Sequence, residues 1–132
     1  MRTRFAALLA MLGVLALAPG LPARSQSCMA SNAPGQIAEG KLVVKKAHDA
    51  AGRPERPYIL ELPASTCLEG STPDDRVGAT RSIHIFSSDG KVHAAIGGLV
   101  GRHVRVRGSP FPAHTAHHHA PIVMDVSEID GI

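Results

Sequence analysis

Hydrophobic and polar residues alternate with a period of two in five separate stretches of the chain. Along "QIAEGKLVVKKA" (Gln36 to Ala47), Ala38, Gly40, Leu42 and Val44 share one face, and Glu39, Lys41, Val43 and Lys45 the other. "RPYILELPAS" (Arg56 to Ser65) sets Tyr58, Leu60 and Leu62 against Ile59 and Glu61. "RSIHIFSS" (Arg81 to Ser88) turns Ile83 and Ile85 inward and His84 and Phe86 outward. "RHVRVRG" (Arg102 to Gly108) is the cleanest run, with Val104 and Val106 against His103, Arg105 and Arg107, and "IVMDVSEI" (Ile122 to Ile129) closes the series. Successive side chains of a strand point to opposite faces. These runs, bounded by Gly, Pro, Asp and Ser, therefore predict five strands of an antiparallel sheet.

One segment has a different period. In "SSDGKVHAAIGGLVG" (Ser87 to Gly101), Val92, Ile96, Leu99 and Val100 recur at helical intervals, and Gly101 stands where a helix would stop. Gly97 and Gly98 restrict the helix to two or three turns. "DAAGRPERP" (Asp49 to Pro57) and "CLEGSTPDDRVGAT" (Cys67 to Thr80) read as loops. Three strands, a short helix and two strands is the order of an OB-like barrel, an all-β five-stranded fold with the helix between strands 3 and 4. A swapped-order β-sandwich and an SH3-like barrel are the alternatives.

The amino terminus reads as an address. Arg2 and Arg4 precede the apolar run Phe5 to Ala18, which Pro19 and Gly20 end. A bilayer needs roughly 20 helical residues, so this run matches a cleaved secretory signal rather than a membrane span. Cleavage is expected after Ala23 or within "ARSQS", giving a signal at residues 1–23, an arm at 24–35 and one domain at 36–132. Ser25, three before Cys28, is not the aliphatic residue that lipidation requires. Removing Arg2 and Arg4 from the 14 Lys+Arg leaves 12 against 11 Asp+Glu, so net charge argues for no nucleic-acid partner. Three Phe, one Tyr and no Trp also provide few stacking platforms for single strands. Cys28 and Cys67 are the only cysteines, and in an exported chain they predict one disulfide. Closing that loop is worth about 4 kcal/mol by chain entropy.

Chemistry concentrates in "FPAHTAHHHAPIVMDV" (Phe111 to Val126), which holds four of the eight histidines between His114 and His119. Neutral imidazole binds zinc, copper and nickel. On a regular strand His117 and His119 share a face and His118 does not, so the expected chelate is His114, His117 and His119, with Asp125 approaching from the next strand. Alternatively, Thr115 and the rings fix a turn. A third reading is a surface whose charge rises below neutrality and changes partner binding. Arg105 and Arg107, beside His103, form either an anion patch or a solvated face. Neither Asp74-Asp75 nor Ser109 has the neighbours of an acid/base pair or a nucleophile. The chain is expected not to be an enzyme.

The stretches "ERPYILELPASTCLEG" and "GRHVRVRGSPFPAHTAHHHAPIVMDVSEI" resemble a family of small exported bacterial proteins classed as a domain of unknown function and numbered four-four-three-one. Cys28, Cys67, Gly101, Val104, Val106, Gly108, Phe111, His114, Thr115, His117, His118, His119 and Pro121 fall on its pattern. Ala116 stands where glycine is commoner, and Pro112 where another histidine often stands. The resemblance implies export, a disulfide and a compact β domain, but no assigned activity. The function expected is a periplasmic or secreted binding module for an unknown envelope protein or small ligand. Its surface would be the lip at 111–121, with Phe111, Thr115, His118, Arg105 and Arg107 as contacts and the loops at 49–57 and 67–80 as neighbours. A transition-metal binder, holding zinc or copper, is the alternative.

Overall fold

The structure is a computed structural model that describes residues 13–14, 16–20 and 27–132. Its strands are β1 (Met29–Ala30), β2 (Gln36–Val44), β3 (Ala47–His48), β4 (Pro54–Glu55), β5 (Tyr58–Glu69), β6 (Val77–Phe86), β7 (His103–Pro112) and β8 (Ile122–Gly131). One α-helix, α1 (Gly90–Gly98), lies between β6 and β7, and a 3-10 turn occupies Pro73–Asp75. Strand β2 pairs with β5 and β7, β7 with β8, β8 with β6, and β6 with β5, which closes a five-stranded barrel. Only the β6–β8 ladder within it is parallel. This is the OB-like all-β barrel that the alternation predicts, with its helix in the expected place.

Alternation decides what fills the barrel. Leu42, Leu60, Ile83, Ile85, Val104, Val106, Ile122 and Met124 are fully buried in one core cluster. The helix covers part of it with Ile96, flanked by Val92 and Leu99. Asp89 starts the helix by accepting hydrogen bonds from the amides of Lys91 (2.8 Å) and Val92 (3.1 Å). Val100 departs from its expected place on the helical face. The helix caps at Leu99, and Val100 lies beyond it, 39% exposed.

The strands also run further than their sequence pattern. β5 continues through Pro63 to Glu69, and β6 begins at Val77, so the expected loop from Cys67 shrinks to residues 70–76. Proline is tolerated because the β5–β6 register shifts between Glu61 and Thr66, where strict pairing is suspended. The Arg81 side chain bonds the carbonyls exposed there, donating from Nε to Leu62 (3.2 Å) and from Nη2 to Pro63 (2.6 Å). β7 likewise keeps Pro110, Phe111 and Pro112 in register with β8, so Phe111 is a strand residue. Two close approaches need glycine. A Cβ at Gly40 would overlap the Glu61 carbonyl, and one at Gly108 the Asp125 carbonyl, beside the β7–β8 register shift.

The disulfide joins Cys28 to Cys67. Next to it, β1 adds in parallel to the end of β5, with Met29 buried. Ser31 then donates to the Glu69 carbonyl and Asn32 to that of Pro110, so the arm ahead of β2 is fastened along the barrel. Most of the expected signal, residues 1–12, 15 and 21–23, lies outside the described residues. Among those described, no helix is long and apolar enough to cross a membrane.

Candidate functional site

Ile59 alternates with Leu60 and so faces away from the barrel core, yet it is 1% exposed. Val123, between the inward Ile122 and Met124, is 0% exposed. The register explains their company: Val43 pairs with Ile59, Ile59 with His84, His84 with Val123, and Val123 with Phe111. A row of side chains therefore wraps the outside of the barrel. Residues 113–121, which connect β7 to β8, supply imidazoles over its centre. The ring centroids of His118 and His119 lie 6.3 and 5.8 Å from that of His84, and Ala120 is buried beside them.

Local hydrogen bonds shape this connection. Ala113 donates to the Pro121 carbonyl at its neck. The Thr115 carbonyl accepts from the His118 amide, and its hydroxyl from the His117 amide, which makes one tight turn. The His114 amide donates to Nδ1 of His118 (3.0 Å), and Nδ1 of His114 bonds the Pro112 carbonyl (3.1 Å). Phe111 carries this layer, with ring centroids 5.5 Å from both His114 and His118 and 6.2 Å from Phe86.

The second partner is the β3–β4 hairpin inside the β2–β5 connection. Its turn is built by Asp49, whose Oδ1 accepts from the amides of Ala51 and Arg53, both at 2.9 Å, and whose Oδ2 accepts from Arg53 Nε at 2.7 Å. Glu55, on β4, then reaches the histidine connection. Its Oε1 bonds Nδ1 of His117, and its Oε2 bonds Nε2 of His119 at 2.6 Å. One carboxylate thus links two histidines 62 and 64 residues away in sequence. Asp49, Glu55 and His117 each bring one ligand atom within 4.8 Å of the other two.

Burial and neighbours set the charges. Burial pushes the His84 imidazole down to about 4, the rings of His119 and His118 push the same way, and the Glu55 carboxylate opposes them. Neutral His84 fits its hydrogen bond, because its Nδ1 accepts from the His119 amide (3.2 Å). His118 is also lowered, first by burial and then by His114, His117 and His119. The hydrogen bond from His119 holds Glu55 below the usual carboxylate range, with His117 adding to it against desolvation. Asp49 is lowered chiefly by the Arg53 amide.

Of the expected ligands, His117 and His119 meet at Glu55, whereas His114 packs against His118 and Phe111. Asp125 is held by the amide and hydroxyl of Ser88. Arg105 pairs with Glu39 (2.5 Å) and Arg107 with Glu128 (3.5 Å), each to its cross-strand neighbour on the outside of the barrel. On the far side of Phe111, a cleft of about 570 Å³ is lined by Asn32, Asp74, Asp75, Phe111, Pro112, Ala113 and His114. Sequence reasoning missed Glu55, Asp49 and His84. The first two lie in the 49–57 loop, expected beside the lip but given no ligand role, and His84 looked like an ordinary outward strand residue. The barrel topology was the available clue, since it brings the β2–β5 and β7–β8 connections together.

Neither the search of curated proteins nor that of solved structures finds a match to the chain. A family match covers residues 82–130, from β6 through most of β8, and includes His84 and all of the histidine connection. That segment is similar to the family described as "Domain of unknown function (DUF4431)".

Proposed function

We propose that the chain is an exported, non-enzymatic binding module that takes a protein partner where residues 113–121 meet the β3–β4 hairpin. The observation that carries this reading is the Glu55 carboxylate shared by His117 and His119. It joins two connections into one preorganised surface, which lowers the ordering cost of binding. His114, Thr115, Ala116 and His117 are exposed on its crown. The leader pattern and the Cys28–Cys67 disulfide support export to an oxidising compartment, periplasmic or extracellular. The few outward aromatic rings argue against single-stranded nucleic acid. A photo-crosslinking residue at Thr115 or Ala116 should capture one envelope protein that the same probe at Lys91 does not. His117→Ala/His119→Ala should abolish that capture. Identical products from both probe positions, or none, would rule the reading out. A second reading, a transition-metal binder, is favoured by the meeting of Asp49, Glu55 and His117.

A further inference from the structure

The three ligand-bearing side chains that the fold gathers are not the three histidines expected from spacing. Asp49 and Glu55 come from the β3–β4 hairpin and His117 from the β7–β8 connection, and their ligand atoms lie within 4.8 Å of one another. We propose that Asp49, Glu55 and His117 bind a zinc ion that ties the hairpin to the histidine connection. The proposal rests on the metal reading above and names its ion and the role of each ligand.

Zinc at roughly 2.0–2.2 Å from each ligand places tetrahedral neighbours about 3.3 Å apart. The ligand atoms, now within 4.8 Å of one another, have to close to that spacing as the ion binds. His117 Nδ1 already bonds Glu55 Oε1, so the ion replaces the hydrogen these two atoms share: a neutral ring carries it on Nε2 instead, and a protonated ring releases it to solvent. Glu55 is aimed for the task. His119, only 14% exposed, holds Oε2 through Nε2 and leaves Oε1 turned toward His117. A histidine bonded to the remote oxygen of a ligating carboxylate is the kind of outer support that metal sites use. His119 is therefore a positioning residue here.

Asp49 is aimed too, since two backbone amides fix its Oδ1. Its Oδ2 carries Arg53, whose side chain is 76% exposed. The guanidinium can swing away into water, whereas the Asp49 side chain, 5% exposed, stays in place to meet the ion. The two carboxylates carry the charge to match a divalent cation. Two oxygens and one imidazole suit zinc and leave a fourth position for water. Calcium needs six to eight oxygens, and copper(II) prefers a tetragonal, nitrogen-rich set.

Titration of zinc into the disulfide-bonded protein, followed by calorimetry, tests this. One ion should bind per chain with a micromolar or tighter Kd, and Glu55→Gln and His117→Ala should each weaken it by about tenfold or more. His114→Ala should leave it unchanged. Metal-free melting of each variant identifies any that fail to fold, and Asp49→Asn is secondary because Asp49 also holds its own turn. Zinc binding that survives Glu55→Gln and disappears in His114→Ala overturns this ligand set while sparing a histidine chelate. Wild-type zinc binding weaker than about 100 μM overturns both it and the metal reading.

Discussion

The barrel has two buried regions, one inside and one outside, and they are held in different ways. Inside, Leu, Ile, Val and Met pack against one another, and no buried polar side chain among the described residues interrupts them. Outside, Ile59 and Val123 are as deeply buried, but imidazoles and a hairpin stand over that face. Dispersion and water exclusion stabilise the first, and both are indifferent to pH. The second depends on hydrogen bonds that Thr115 and Glu55 accept and the His114 amide donates, and on His84 and His118 staying neutral. Strand pairing makes the inner core unavoidable once five strands close. The outer one exists only while two connections remain in place.

Four substitutions sharpen that contrast, beginning with the largest effect. Ile83→Ala, inside, should cost about 3–4 kcal/mol in denaturant unfolding, and equally at pH 5 and 7.5. Ile59→Ala, outside, should cost about 2–3 kcal/mol because its roof can settle, and it should speed amide exchange across residues 113–121. An equal exchange response to both would show that the two regions are one.

The third effect depends on pH. His84 in the unfolded chain takes a proton near 6.5, but in the fold only near 4. Between those values the unfolded state binds more protons. Stability is therefore full above about 6.5, falls as the pH drops, and levels off near 4. Allowing for the ring's partial exposure, about 1–2 kcal/mol is lost over that interval. His84→Asn, which still accepts from the His119 amide, should flatten the decline in a melting series from pH 7 to 4. An unchanged slope would remove His84 as its source. The smallest effect is that of Glu55→Gln. It should leave the melting point nearly unmoved and raise amide exchange at His117, His118 and His119 alone.

The inner region was legible because a period of two needs only one strand to be read at a time. Leu42, Ile83, Ile85, Val104 and Val106 all lie where alternation puts them. The helix was legible from Ile96, but its end was not: Val100 continues the spacing after the backbone has left the helix. The outer region was only half legible. The histidines marked one side of it, but the partner of His117 and His119 is Glu55, in the other connection. That pairing depends on closure of the barrel, and no local pattern contains it. Ile59 misleads for the same reason, since an outward apolar residue is recognised as core only when its cover is known.

Pro63 and Arg81 have a consequence beyond the length of β5. A closed barrel offers other chains no free strand edge except where its own ladder is interrupted, and β5 is interrupted between Glu61 and Thr66. Pro63 brings no amide hydrogen to that gap, and the guanidinium of Arg81 occupies the carbonyls of Leu62 and Pro63. A foreign strand arriving there finds one donor missing and two acceptors taken. The irregularity that lets the barrel bend is thereby guarded against strand-to-strand association.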